Sequence, residues 1–542
     1  MIDRLHSSTS ISRRTALALP LGLAGLSAAP RQAAAEPEPV RGGTMVMIVN
    51  PEPSTLAHYA VSAGNIPMIA TQVYEGLLTY DWDQKPQPNL AKSWEVSPDG
   101  KTITFKLQTG VTFHNGAPFT SADVQYSFME VLKKVHPTAP VVLAELIAVD
   151  TPDAETAVFR LANPAPYMMK AMAARDLPIV CKSVFEGTDP LSNPTANKPI
   201  GTGPFKFVSW ERGQSLRLDR NEKYWKPGLP YLNRIVARFI PDAGTRSAAM
   251  ETGEAHFAGY SAVNYADVAR MKQNPILDTT TKGYEMTPAL SVLELNSHHP
   301  HLDKKEVRQA IAYAIDRTFI RDNVMFGYGE PATGPLSRKF VGLYTDQVRR
   351  YDVPNRLEIA NKLLDDSGLP RGADGSRFEL HLEVNSFGEQ WLRQAEYLKQ
   401  ALAQIGITVI LRSEDTATWL RRAYTDYDYD ISEPFLSQGI DPVVGLNRQY
   451  LSSQIRKGVT FVNNSFYANP KIDRLLGEGR TEIDPAKRTE IYHKVQQILT
   501  EDSPLIWLVD VQYVSIFNRK LHNHTTGPLG TYQAFETAWL EK

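Results

Sequence analysis

The chain has 542 residues, of which 42% are hydrophobic and 22% charged, with 58 basic residues against 60 acidic ones. This length exceeds what one ordinary hydrophobic core supports and predicts roughly three domains or lobes. The ordinary composition excludes long disorder, and a net charge of −2 gives no reason to expect nucleic acid or an anionic membrane as a partner.

The first 35 residues have the pattern of an export signal. Arg13 and Arg14 precede an apolar run over 16–29, and three alanines at 33–35 follow it. This order is typical of a cleavable secretory signal peptide, and the paired arginines favour the twin-arginine type over a Sec signal. We expect a mature chain that begins near Glu36, has no cysteine to carry a lipid anchor, and is soluble in a bacterial periplasm.

Hydrophobic periodicity and capping residues predict helices that alternate with strands. In chain order, the predicted elements are a strand at 45–49, a helix at 66–78, a strand at 103–107, a helix capped by Thr120 and Asp123, a strand at 157–161, a helix that begins after Asp303, a helix at 391–405, a strand at 407–411 and a helix that begins after Asp484. Such alternation without a fixed repeat predicts an α/β architecture of several lobes.

The cysteine and histidine content argues against a metal or cofactor site. Cys181 is the single cysteine, so no intramolecular disulfide and no cysteine-based zinc or iron–sulfur site can form. We interpret it as a buried apolar side chain rather than a nucleophile. His298, His299 and His301 could suggest nickel, but neighbouring histidines around a proline point in different directions. We predict an ordinary surface turn there, no metal and no cofactor.

Several ordered motifs run through the chain. They are Tyr74-Glu75-Gly76-Leu77-Leu78, the sequence KSWEVSPDGKT at 92–102, Ile200-Gly201-Thr202-Gly203-Pro204-Phe205, and the segment from Val307 to Arg317. Together they resemble family 5 of the extracellular solute-binding proteins, the dipeptide, oligopeptide and nickel-binding group of bacterial ABC importers. The resemblance covers essentially the whole mature chain. We expect Gly201 and Gly203 to adopt backbone angles that other residues cannot reach.

This resemblance implies a type II periplasmic-binding-protein fold, with two main lobes around a hinged ligand cleft and an inserted extra lobe. The predicted boundaries are a signal peptide at 1–35, lobe I at 36–75, 198–290 and 505–542, lobe II at 76–197, and lobe III at 291–504. A monomer is expected.

The resemblance also implies the function. The protein would capture a peptide or similar small solute between lobes and deliver it to a membrane permease that a cytoplasmic ATPase drives. An opine, oligosaccharide, nickel chelate, haem or glutathione is an alternative ligand. An exported enzyme is the remaining alternative, but the chain has no phosphate-binding loop and no Gly-x-Ser-x-Gly, His-Glu-x-x-His or Cys-x-x-Cys motif. We predict no enzymatic activity.

In peptide-binding members of the family, a segment after a Tyr-Asp pair lines the cleft, and an acidic residue in it holds the ammonium group of the peptide. The matching segment here begins at Tyr429-Asp430, lacks the Gly-Trp of the family, and places Gly439 at the acidic position. Glu433 or Asp441 could replace the missing carboxylate, and Arg412 could bind a ligand carboxylate. The candidate ligand-binding residues are Glu52, Arg412, Glu433, Phe435, Ser437, Gln438 and Asp441.

Overall fold

The computed structural model describes residues 38–61, 63–385 and 388–542. The predicted export signal, with Arg13 and Arg14, lies outside these residues. Residues Pro39–Lys542 form one compact unit. Within the described part of the chain, no helix is both long enough and apolar enough to cross a membrane.

Lobe I is built on a seven-stranded mixed sheet whose strands come from distant parts of the chain. Its central strand, Thr44–Ile48, pairs in parallel with Arg234–Arg238, with Thr44 opposite Arg234, and on its other side with Phe257–Ala258. Across the sheet, the strands are Leu277–Thr280, Ser515–Asn518, Phe257–Ala258, Thr44–Ile48, Arg234–Arg238, Ser215–Arg220 and Phe205–Glu211. The lobe is therefore discontinuous in sequence.

Lobe III is built on a second seven-stranded sheet around the fully buried strand Ala289–Leu295. Its strands in order are Gly329–Pro331, Leu505–Val511, Ala289–Leu295, Ile431–Ser432, Phe378–Val384 and Ile407–Ser413, and Phe435–Ser437 also pairs with Ala289–Leu295. Since Leu505–Val511 belongs to this sheet, we infer that the last lobe boundary lies after Val511 and not before Leu505. The other predicted boundaries remain predictions.

Lobe II contains a four-stranded antiparallel sheet. The strands in order are Ala91–Val96, Thr102–Leu107, Thr156–Leu161 and Leu146–Asp153. Phe159 packs edge-on against Phe105 and Phe128, with ring centroids 5.1 and 4.8 Å apart. Two short antiparallel strand pairs complete the strands of the described chain, Leu78–Tyr80 with Pro86–Pro88 and Leu521–His522 with Trp539–Leu540.

Helices pack against both large sheets. In chain order, the α-helices are Pro67–Ala70, Ser121–Gln125, Lys133–Val135, Ala139–Val142, Lys182–Phe185, Ala243–Glu251, Tyr265–Met271, Lys305–Ala314, Arg317–Phe319, Arg356–Asp366, Glu389–Ala403, Thr416–Arg421, Pro442–Tyr450, Pro470–Thr481 and Pro485–Asp502. Thr120 and Asp123 form the predicted capping box. Gly406 follows the helix Glu389–Ala403 with a φ of +82° and ends it as predicted.

One helix prediction is wrong in its extent, and another helix is predicted correctly but with the wrong N-cap. The helix predicted at 66–78 extends only over Pro67–Ala70. Gly76, six residues past the end of this helix, lies against the backbone of lobe II, where a Cβ atom would be 2.4 Å from Met172 O. The helix predicted to begin after Asp303 begins at Lys305, with Lys304 as its N-cap and no side-chain capping hydrogen bond.

The glycine motif at 200–205, where the outer strands of lobe I begin, is hydrogen-bonded to the backbone of residues 72 and 73. A Cβ atom on Gly201 would lie 2.0 Å from Val73 O, and one on Gly203 2.6 Å from the same oxygen. The Gly203 N–H donates to Val73 O at 2.9 Å. Close backbone approach therefore requires these glycines, and neither has the left-handed φ that we expected.

Substitution Gly201→Ala is expected to destabilise the protein by roughly 1–3 kcal/mol, because the added methyl group overlaps a backbone oxygen that cannot move freely. Chemical denaturation measures the change. The matched control is Gly477→Ala in the helix Pro470–Thr481, where a Cβ atom meets nothing within 4 Å. The control should stabilise by roughly 0.5–1 kcal/mol. Equal stabilities of the two variants would contradict the packing argument.

Candidate functional site

An aromatic cluster lies where the chain crosses between lobes I and III. The crossing segments are 281–288 and 512–514, and they contribute Tyr284 and Tyr513. Tyr260 of lobe I stacks on Tyr513 with ring centroids 4.4 Å apart, and Tyr532 meets Tyr260 edge-on at 5.6 Å. The Tyr260 N–H donates to the Tyr284 hydroxyl at 2.7 Å. Tyr284, Tyr513 and Tyr532 are buried and Tyr260 is half-buried, so the four tyrosines form a packed cluster with both apolar faces and hydroxyl groups.

Lobe II places a charged pair beside the aromatic cluster. The Arg175 guanidinium lies 5.4 Å from the centroid of the Tyr532 ring, and Arg175 Nη1 donates to Asp176 Oδ1 at 2.5 Å. The carbonyl oxygen of Arg175 is 2.6 Å from His58 Nε2. Burial lowers the pKa of His58 to about 4, so this imidazole is neutral near pH 7 and donates to that carbonyl. All three lobes thus contribute to one region.

Lobe III contributes a polar wall next to Tyr513, which is formed by Lys339, Asp510, Ser337 and Gln438. Lys339 Nζ lies 6.0 Å from the Tyr513 ring centroid and donates to Val511 O at 3.1 Å, and burial lowers the pKa of this lysine. Asp510 Oδ2 accepts from the Ser337 hydroxyl at 2.7 Å. The Gln438 amide is used within the same wall, since its Oε1 accepts from Ser337 N at 2.7 Å and its Nε2 donates to Pro335 O at 2.5 Å.

The predicted segment at 433–441 divides into accessible and enclosed side chains. Ser437 is exposed, and Phe435 is half-buried against Trp391, with ring centroids 5.9 Å apart. Glu433 is fully buried, accepts from Asn385 N at 3.3 Å and from Gln394 Nε2 at 3.1 Å, and burial raises its pKa well above the usual value. Burial therefore disfavours the charged form that a cation-binding role requires.

Asp441 is enclosed in an ion pair. Its two carboxylate oxygens accept from Arg488 Nη1 at 3.0 Å and Arg488 Nη2 at 2.6 Å, and its side chain also accepts from Val443 N at 3.1 Å to cap the helix Pro442–Tyr450. The carboxylate is fully buried. An ammonium group from a ligand would compete with this bidentate pair, so the contacts favour a structural role for Asp441.

Glu52 and Arg412 have partners inside their own lobes. Glu52 accepts from Trp210 Nε1 and from Gly213 N, both at 2.9 Å, and so holds the loop after the first strand of lobe I. Arg412 pairs with buried Glu383 at 3.1 Å. A ligand-binding role for Glu52, Arg412, Glu433, Phe435, Ser437, Gln438 or Asp441 stays a prediction.

Sequence reasoning missed the tyrosine cluster, Arg175, Asp176 and Lys339. Tyr260 and Tyr513 are 253 residues apart, and no local pattern marks either one. The one available signal is the position of Tyr513 directly after a strongly apolar strand, where a chain that leaves a sheet passes to the next lobe.

The three neighbouring histidines do not converge on one point, although the rings of His299 and His301 lie 5.5 Å apart. His298 stacks on Phe466 at a centroid distance of 3.7 Å, His301 lies 4.6 Å from the Phe378 ring, and His299 Nε2 is 3.9 Å from an Asp430 carboxylate oxygen. Among the residues that the structure describes, no group of three or more histidine, cysteine, aspartate or glutamate side chains could hold a metal ion.

The raised pKa of Glu433 predicts a pH dependence of stability. Below about pH 4.5, Glu433 is protonated in both the folded and the unfolded state. As the pH rises above that value, the unfolded state releases the proton while the folded state keeps it, so the free energy of unfolding falls by up to about 1.4 kcal/mol per pH unit until the folded-state pKa is reached. Glu433→Gln should remove this decline.

Urea denaturation between pH 4.5 and 7.5 measures the difference between the wild type and Glu433→Gln. The control is Glu396→Gln, an exposed position on the helix Glu389–Ala403, which should follow the wild-type profile. Parallel profiles of the wild type and Glu433→Gln would show that the buried carboxyl group does not keep its proton.

Comparison with known proteins gives a consistent family assignment. Residues 85–457 match the sequence model described as bacterial extracellular solute-binding proteins, family 5 Middle. The chain is 27% identical over 522 residues to the glutathione-binding protein GsiB of Escherichia coli O1:K1 / APEC, and the match covers 92% of this chain and 94% of that protein.

Solved structures are similar over nearly the whole chain. The PBP AgaA from A. tumefacien R10, in complex with agropinic acid, is 29% identical, with a TM-score of 0.76 and coverage of 92% of this chain and 99% of that one. The binding protein DppA from Helicobacter pylori, in complex with peptide STSA, is 24% identical, with a TM-score of 0.78 and coverage of 93% and 99%. The latter similarity bears on the fold alone.

Proposed function

Because the chain belongs to family 5 of the bacterial extracellular solute-binding proteins and is the substrate-binding component of an ABC importer, we propose that it captures a short peptide or a similar small amino-acid-derived solute at the aromatic cluster. The observation that carries this proposal is the meeting of three lobes at Tyr260, Tyr513 and Tyr532, beside charged groups of both signs.

The arrangement of the lobes supports capture by closure. Only the segments 281–288 and 512–514 connect the large sheets of the described chain, so the lobes can move relative to one another with few changes in backbone angles. A ligand that contacts Tyr260 of lobe I and Lys339 of lobe III at once favours the closed state by its differential affinity for that state. The closed surface is then presented to the permease.

The chemistry of the site supports a ligand with both charges. Arg175 and Lys339 are cations near the tyrosines, while Asp176 and Asp510 are carboxylates in the same region. Among the relatives, GsiB is named for glutathione, a tripeptide, and AgaA was solved with agropinic acid. An opine-like acid is therefore the second candidate ligand, and sugars and haem fit a site with these charges less well.

The remaining features of the proposal concern the context of binding. The protein would be exported through its predicted signal with Arg13 and Arg14, act in the periplasm as a monomer without a lipid anchor, and release its ligand unchanged. Membership in a solute-binding family supports the absence of turnover.

A thermal-shift screen of the protein without residues 1–35 tests the ligand class. The panel contains di- to pentapeptides, glutathione, opines, oligosaccharides, haem and nickel–histidine. A ligand at 100 times its Kd should add roughly 2.7 kcal/mol of stability. We expect shifts with peptides, glutathione or opines. Tyr513→Leu should reduce them, and Tyr397→Leu, on a helix of lobe III, should not. A shift with only oligosaccharide or haem would contradict the proposed class.

A further inference from the structure

Arg175 and Asp176 are neighbouring charged residues of lobe II, and each has one polar side-chain atom that forms no hydrogen bond with the described residues. Arg175 Nε and Asp176 Oδ2 are both buried, and neither has a hydrogen-bond partner among the described residues. Their side chains are only 17% and 14% exposed. A buried charged group with an unused donor or acceptor carries a desolvation cost, and such a cost is offset when a partner binds.

The turn that carries this pair is held in a fixed position. The N–H groups of Asp176 and Leu177 both donate to Ala173 O, at 3.1 and 2.9 Å. Leu78 N donates to Met172 O at 3.1 Å, and Gly76 leaves no space for a Cβ atom against the backbone at 172–174. The pair is thus positioned before any ligand arrives, which lowers the entropic cost of binding.

The pair also faces the region where the other lobes meet. The Arg175 guanidinium lies over the ring of Tyr532, and its charge interacts with the hydroxyl groups of Tyr260 and Tyr513. Those tyrosines belong to lobe I and to a crossing segment. A ligand on the aromatic cluster therefore comes within reach of Arg175, which is hydrogen-bonded to Asp176.

We propose that Arg175 and Asp176 bind an α-amino-acid group of the ligand, with the guanidinium Nε–H donating to its carboxylate and Asp176 Oδ2 accepting from its ammonium group. A guanidinium matches a carboxylate in shape and charge, and a carboxylate accepts strongly from an ammonium group. This inference rests on the proposed function and narrows the ligand to solutes with a free ammonium and a free carboxylate on one carbon atom.

The proposal separates two kinds of peptide. In an ordinary α-linked peptide, the ammonium and carboxylate groups lie at opposite ends, and each residue adds about 3.5 Å between them. The adjacent Arg175 and Asp176 cannot pair with both ends of such a chain. A γ-linked glutamyl peptide keeps both groups on the α-carbon of glutamate and matches the pair. Amino-acid conjugates with an intact α-carbon match it in the same way.

The isomers γ-Glu-Gly and α-Glu-Gly test this directly, because they have the same composition and the same formal charges. Isothermal titration calorimetry should show that γ-Glu-Gly binds at least about 10-fold more tightly. Asp176→Asn and Arg175→Met should each weaken γ-Glu-Gly by about 10-fold or more. The matched controls are Asp150→Asn and Arg160→Met, which break an exposed ion pair of the same lobe and should bind normally.

A ligand-side measurement keeps the test independent of folding defects in the variants. N-acetyl-γ-Glu-Gly lacks the ammonium group, so the wild type should bind it at least about 10-fold more weakly than γ-Glu-Gly. Asp176→Asn should not weaken the acetylated compound further. Equal affinities for the two isomers, or unchanged binding by Asp176→Asn and Arg175→Met, would overturn the inference while the peptide screen still supported the proposed function. Failure of every amino-acid-derived compound in that screen would overturn both.

Discussion

The segments 281–288 and 512–514, which cross between the two large sheets, determine how lobes I and III can move around the site. The strand Ala289–Leu295 lies fully buried in lobe III and pairs antiparallel with its neighbour Leu505–Val511, so both crossings leave the sheet at the same end of these two inner strands. On the lobe I side, Tyr284 is hydrogen-bonded to the Ser515 hydroxyl at 2.6 Å, and the Tyr265 hydroxyl donates to Gln512 O at 2.9 Å. The tyrosines at the crossing are therefore held in position by lobe I. The affinity for a ligand bound there depends on the position of lobe III.

Charge burial separates structural side chains from candidate ligand-binding ones. Asp441 has a bidentate guanidinium partner and a helix N-terminus, so its charge is compensated inside the protein. Glu433 disfavours ionisation because it is fully enclosed. Burial raises the pKa of Asp176 as well, but the neighbouring Arg175 guanidinium opposes that shift, and each of these two side chains keeps one atom without a partner among the described residues. This difference points to the lobe II pair and to Asp510 of lobe III, whose Oδ1 is also buried without a partner among the described residues, and not to Glu433 or Asp441, as the charged groups of the site.

The fold was largely predictable from sequence, and the site was not. Alternating apolar residues predicted strands at 103–107 and 157–161, which the structure has at Thr102–Leu107 and Thr156–Leu161, and the Thr120–Asp123 capping box predicted the start of its helix. Local patterns fail where a distant contact decides. Gly76 packs on the backbone at Met172, about a hundred residues along the chain, and Arg488, 47 residues away, forms the ion pair with Asp441. The tyrosine cluster brings together positions 260, 284, 513 and 532. Their spacing along the sequence does not predict that these side chains are in contact.

Small-angle X-ray scattering of the protein, with and without a saturating amount of the compound that stabilises it most, tests the central claim most directly. Closure of lobes I and III around a ligand at the aromatic cluster predicts a smaller radius of gyration in the bound state, and Tyr513→Leu should need more ligand to reach it. An unchanged radius of gyration, at ligand concentrations where calorimetry shows full binding, would contradict capture by closure at the crossing segments.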